Sequence, residues 1–120
     1  MAEPLGNLKR THTCGALRPI DVGRDVVLFG WVHRVRDLGG VLFLDVRDRA
    51  GVSQVVVREA GPLLSDAKRV RPEFVVAVSG VVQRRSDETV NQKLATGDVE
   101  VLAQSIRVLN EGEKDVMNFS

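Results

Sequence analysis

Apolar and polar residues alternate with a period of two through most of residues 24–58, the period lengthens to about 3.6 near residues 62–70, and alternation then returns. From about Arg24 to Arg36, Val27, Phe29 and Trp31 fall on one face, with His33 on the same parity, while Val32, Arg34 and Arg36 fall on the other; the first face is read as the core side. A second strand from about Val41 to Arg47 turns Leu42, Leu44 and Val46 inward and Phe43, Asp45 and Arg47 outward. A third, about Val52 to Arg58, points Val55 and Val57 in and Gln54 and Val56 out. Pro62, Leu63, Leu64, Ala67 and Val70 then describe one side of a short helix that ends near Pro72. A fourth strand spans Glu73 to Gln83 and a fifth spans Asp98 to Leu109, with Val99 and Val101 facing in and Asp98, Glu100 and Leu102 facing out.

The connections carry turn chemistry. Asp21-Val22-Gly23 reads as a turn, Asp37-Leu38-Gly39-Gly40 as a loop, and Asp48-Arg49-Ala50-Gly51 as a turn whose glycine supplies a positive φ. Thr13 is placed to cap a single helical turn that Pro19 would stop. Gly30 and Gly80 mark bends in the long first and fourth strands, and residues 84–97 form a polar loop. Residues 1–10 read as a flexible lead-in and residues 110–120 as a tail or the start of a linker, leaving one domain over residues 11–109. The order is strand, strand, strand, helix, strand, strand, an all-β chain with one short helix. Another small five-stranded barrel fits the strand count; the helix between strands three and four is what distinguishes the OB-fold, a five-stranded Greek-key barrel.

Composition narrows the classes of function. A chain of 120 residues is one domain by size, able to bury roughly two-thirds of its unfolded surface. Seventeen Lys and Arg against sixteen Asp and Glu leave a net charge of +1, so any argument for a nucleic-acid partner rests on where the charges sit. No run of eighteen apolar residues appears, and the first ten residues have no signal-peptide core, so a soluble, cytoplasmic protein without a membrane partner is expected. The single cysteine, Cys14, agrees with a reducing compartment.

Catalytic candidates are few. His12 and His33 lack the spacing of a metal site, and His33 sits on the parity read as core. Gly39-Gly40 lacks the Lys and Ser/Thr of a phosphate-binding loop, and Asp45 and Asp48 lie among arginines, where ion pairing is the ordinary role. The candidate chemistry is recognition. Phe43 on its own would be an edge hydrophobe under a loop, but Arg34, Arg36 and Gln54 share its outward face, and a ring, a guanidinium and an amide together stack on a base and read its edge. Glu100 by default is a solvated carboxylate; beside the same groove it would accept from the N1 and N2 donors of guanine.

Several segments carry a family resemblance: Thr11-His12-Thr13-Cys14-Gly15-Ala16-Leu17-Arg18, Gly30-Trp31-Val32, Arg34-Val35-Arg36-Asp37-Leu38-Gly39-Gly40, Phe43-Leu44-Asp45-Val46-Arg47-Asp48 and Ala95-Thr96-Gly97-Asp98-Val99-Glu100-Val101. Over about residues 10–110 they resemble the N-terminal anticodon-binding domain of bacterial-type aspartyl-tRNA synthetases, class II enzymes whose asparaginyl and lysyl relatives share the fold. The resemblance implies tRNA(Asp) as partner, with its GUC or queuosine-modified anticodon in the loop. It implies that Phe43 stacks on the central uridine, Gln54 hydrogen-bonds there, and Arg36 meets the third base. By the same likeness Glu100 reads the first-position guanine, Asn91 lies near the anticodon backbone, and Arg34 belongs to the arginine-rich entry. Two departures stand out: Gln83 where some members carry a basic residue, and Val35 interrupting a triple arginine. Family members continue into a catalytic domain that binds ATP, aspartate and Mg²⁺ and form homodimers; this segment alone is expected to hold no cofactor and to be non-catalytic. A free-standing single-strand nucleic-acid binder and a protein-interaction domain are the alternatives.

Overall fold

The alternating segments become five strands in the computed structural model, which describes residues 9–58 and 62–111. They are β1 (Asp25–Leu38), β2 (Val41–Asp48), β3 (Gly51–Val57), β4 (Val75–Arg84) and β5 (Val99–Asn110), with α1 (Pro62–Lys68) between β3 and β4. The parts of the expected lead-in and tail at residues 1–8 and 112–120 lie outside the described residues. The strands close into a barrel in the order β1-β2-β3-β5-β4, every pairing antiparallel except β3 with β5. This is the expected OB-fold, all-β with one short helix. Closure leaves no free sheet edge to aggregate.

The interior is filled by β-branched and leucine side chains from alternate positions: Val26, Leu28 and Val32 of β1, Leu42, Leu44 and Val46 of β2, Val55 and Val57 of β3, and their counterparts on β4 and β5. Each fully buried valine contributes on the order of 1.5–3 kcal/mol over its exposed state. α1 lies against β2, β3 and β5, with Ala67 and the following Val70 buried and Leu63 and Leu64 packed against the core.

The first strand corrects the expected parity. Val26, Leu28 and Val32 face the core, whereas Val27 and Trp31 are only half-buried and His33 is exposed. The cause is a β-bulge: Val32 pairs with Val46 and Arg34 with Asp45, so His33 is the extra residue and inward parity passes from even to odd positions across it. Val35 then packs against the core, and Arg34 and Arg36 emerge on the outer face as expected.

Local connections differ in smaller ways. Gly39 and Gly40, at φ of 65° and 90°, form a two-residue turn that lets Leu38 pair with Val41, so the hairpin is tighter than the expected loop. Thr13 begins a turn, not a helix, with the Ala16 amide donating to its carbonyl, and Pro19 starts the 3-10 turn Pro19–Asp21 where it was expected to end a helix. Gly80 does sit at an irregularity: the β4–β5 register shifts between Ser79 and Gly80, and a Cβ there would come within 2.2 Å of the Leu102 carbonyl oxygen. Among the described residues no helix is long and apolar enough to cross a membrane.

Candidate nucleic-acid interface

Phe43 stands at the middle of β2 with Arg36 of β1 opposite on one side and Val56 of β3 on the other. Its ring is half-buried, and the Arg36 guanidinium carbon lies 5.4 Å from the ring centroid. At that distance the cation is attracted to the ring's negative face. The same guanidinium donates from Nη2 to Gln54 Oε1 at 3.0 Å and stands 3.8 Å from Asp45 Oδ1. Arg34 pairs in register with Asp45 and is exposed.

Behind this row the structure corrects a second expectation. Gln54 and Glu100 have outward parity, but both are buried, Glu100 to 2% exposure, and Val56 is fully buried beside them. Strand parity says which side of the wall a residue takes; the neighbouring strands decide whether water reaches it. Gln54 Nε2 donates to Glu100 Oε1 at 2.8 Å, and Gln83 Nε2, from the paired position on β4, donates to Glu100 Oε2 at 2.7 Å. Arg58 Nη2 lies 4.0 Å from the same Oε2. The default picture of Glu100 as a solvated strand carboxylate therefore does not hold.

A residue that sequence reasoning missed completes the array. Arg85, just beyond β4, is buried; its Nε donates to the Val99 carbonyl at 2.8 Å and its Nη1 to Gln54 Oε1 at 3.3 Å and to the Thr89 carbonyl at 3.0 Å. Burial lowers its guanidinium pKa, with Arg36 adding to the effect, while Glu100 and Asp45 oppose it. Nothing in the polar run after β4 distinguishes Arg85 from its neighbour Arg84, which is exposed. Gln54 consequently has one workable orientation: oxygen toward two guanidiniums, nitrogen toward a carboxylate. Flipping the amide would set donor against donor and acceptor against acceptor.

Asn91 lies in the β4–β5 loop, exposed, and outside this hydrogen-bonded array. Its Oδ1 accepts from the Lys93 amide at 3.0 Å, while its backbone amide donates to Gly97 and its carbonyl accepts from Leu94, so it closes the loop on itself. Among the described residues no three His, Cys, Asp or Glu side chains gather into a metal-holding group. The surface thus presents an aromatic ring, a cation stacked on it, and a rigid row of amide and carboxylate groups behind. Such a surface has the chemistry to stack on a base and to hydrogen-bond to its edge.

Aspartate–tRNA(Asp/Asn) ligase of Moorella thermoacetica is 50% identical over 114 residues, 94% of this chain but 19% of that protein, so the chain spans about a fifth of the length of the curated relatives it matches. Among solved structures, an OBody bound to hen egg-white lysozyme superposes with a TM-score of 0.74 at 29% identity, covering 87% of this chain and 96% of that one. The aspartyl-tRNA synthetase of Entamoeba histolytica shares the fold, with a TM-score of 0.77 at 23% identity over 92% of this chain and 24% of that one. Residues 26–109 match the tRNA anti-codon family, described as an OB-fold nucleic acid binding domain. With closure, strand order and helix placement in agreement, the chain belongs to that family of OB-fold nucleic acid binding domains.

Proposed function

We propose that this chain is the anticodon-recognition part of an aspartate–tRNA ligase and that the outer face of β1, β2 and β3 binds the anticodon loop of tRNA(Asp). The observation that carries the reading is the half-buried Phe43 ring, capped by Arg36, in front of the fixed Gln54–Glu100 pair. In this reading Phe43 stacks on the central base and Gln54 contacts its edge. Arg36 turns from Gln54 toward the third base, exposed Arg34 meets a phosphate, and Asn91 lies beside the strand.

Glu100 reads a first-position guanine or its queuosine form. A carboxylate offers about four acceptor directions, and Gln54 and Gln83 occupy two of them; guanine brings the two donors that would use the rest or displace an amide. Adenine has no such donor pair. The 50% identity to an aspartate–tRNA(Asp/Asn) ligase supports the assignment of amino acid. Ligation itself, with ATP, aspartate and Mg²⁺, is assigned to the remainder of such a protein, as are homodimer formation and residence in the cytoplasm.

The test is a titration of labelled anticodon stem-loops at one fixed salt concentration. A GUC loop is expected to bind more tightly than an AUC loop by roughly 1–3 kcal/mol, the value of one good edge contact. Equal affinity for any single strand of matching length would leave a generic single-strand binder. A second reading, a protein-binding domain, draws on the OBody, a protein of this fold bound to hen egg-white lysozyme; it requires that none of the RNAs binds.

A further inference from the structure

The β2–β3 turn and the β4–β5 loop face each other across a groove of about 380 Å³, lined by Arg47, Arg49, Lys93, Asp48, Thr96 and Gly15 among others. That volume is at the small end of ligand clefts. Arg47 continues the outward parity of Phe43 and Asp45 along β2, so at about 3.4 Å per residue it stands roughly 14 Å from Phe43 on the same face. Arg49 follows at the turn, and Lys93 approaches from the opposing loop.

The groove is cationic in a way the composition does not require. Arg47, Arg49 and Lys93 have no side-chain hydrogen bond or ion pair with any of the described residues. Asp48, the acidic residue of the lining, is engaged with amides: Oδ2 accepts from Cys14 at 2.8 Å, and Oδ1 from Ala50 at 2.8 Å and Gly51 at 3.2 Å. The chain as a whole carries a net charge of only +1, so three cations without a partner among the described residues around one groove are a local concentration. Its walls are also fixed. Thr96 Oγ1 donates to the Val52 carbonyl, Ser53 Oγ donates to the Cys14 carbonyl at 2.6 Å, and a Cβ on Gly15 would come within 2.1 Å of the Ala50 oxygen. The backbone that carries the cations is thus held in place, and an arriving anion has only their side chains to order.

We propose that this groove holds the sugar-phosphate backbone of the RNA strand as it leaves the base-reading face, with Arg47, Arg49 and Lys93 each neutralising a phosphate. The inference rests on the anticodon-loop reading above and extends its footprint by three phosphates. The contacts are electrostatic and blind to sequence, so they add affinity to every loop alike and leave discrimination to the Phe43 face.

The experiment compares the wild-type chain with the combined variant Arg47→Ala, Arg49→Ala, Lys93→Ala and with a control, Lys68→Ala, Arg69→Ala, which removes positive charge at the end of α1. Each is titrated with a GUC stem-loop over a range of salt concentrations. The groove variant is expected to lose about 0.7 of log-log salt slope per phosphate contact, about fivefold in affinity per contact at 0.1 M salt. The ratio of GUC to AUC affinities should stay unchanged, and so should the slope of the control. An unchanged slope in the groove variant, or an equal fall in the control, overturns the groove while leaving the anticodon reading intact, provided Phe43→Ala still weakens binding. Loss of GUC preference in the groove variant assigns these residues to base reading and overturns the phosphate role. Wild-type protein that binds no RNA overturns both.

Discussion

Glu100→Gln keeps the shape of the side chain and removes its charge, and the buried array sets the size of the effect. Both groups held by the carboxylate are amide nitrogens, Gln54 Nε2 at 2.8 Å and Gln83 Nε2 at 2.7 Å. A carboxamide offers one oxygen, so one of the two neighbours meets another NH₂. Rotating Gln54 to recover the bond would turn its oxygen away from Arg36 and Arg85, which both donate to it. The variant therefore loses one charge-assisted hydrogen bond, worth about 1.5–3 kcal/mol, and weakens the other. Against this, the folded state no longer has to desolvate a carboxylate, an offset of comparable order. Arg85 loses the charge that most favours its ionised form, which tilts the balance toward destabilisation. We expect a net loss of about 1–3 kcal/mol. In urea, with a slope near 2 kcal/mol per molar, the midpoint should fall by about 0.5–1.5 M. Glu88→Gln, at an exposed position, serves as the control and should stay within about 0.5 kcal/mol of wild type. If the Glu100 midpoint coincides with that of the control, the carboxylate does not hold the two amides, and the rigidity argued for Gln54 goes with it.

Three further outcomes follow from the same geometry. Phe43→Ala should cost about 1–3 kcal/mol in stem-loop binding through lost stacking yet destabilise the fold less than Leu44→Ala, a fully buried truncation of the class that costs about 2–5 kcal/mol; the reverse ranking in paired titrations and melts would make Phe43 a core residue. Gly80→Val forces a side chain against the Leu102 backbone oxygen and should cost at least about 1–3 kcal/mol, and a circular-dichroism melt within a degree of wild type would refute that close approach. Burial first, and then Asp48, push the Cys14 thiol well above its ordinary range, so the folded state favours the protonated form: its contribution is complete below about pH 8.5 and declines as pH rises past the unfolded thiol's pKa. With no tyrosine in the chain to titrate nearby, urea midpoints between pH 8 and 10 should fall for wild type and fall less for Cys14→Ala, and rapid labelling of native Cys14 by a disulfide reagent would contradict its burial.

The features set by neighbours in sequence are legible in the sequence itself. Valine and leucine at every second position of β2 and β3 specify which side faces a core, because side chains on a strand alternate whatever the strand pairs with. Gly39-Gly40 and Asp48 to Gly51 specify tight turns, since few residues tolerate their backbone angles or make their side-chain bonds. The outward placement of Arg34, Arg36 and Phe43 followed from the same alternation. What was not legible depends on residues far apart in the chain. The bulge at His33 arises where β1 passes from β4 to β2 as its partner, and it reverses a parity that no local count could reverse. Glu100 is buried because strands carrying Gln54 and Gln83, 46 and 17 residues away, flank it, and Arg85 joins the site only because β4 ends beside β5, across which its guanidinium reaches Gln54 of β3. Alternation is a property of one strand and can be read from it; burial and charge pairing are properties of the closed barrel, and only the pairing of strands across the whole chain decided them.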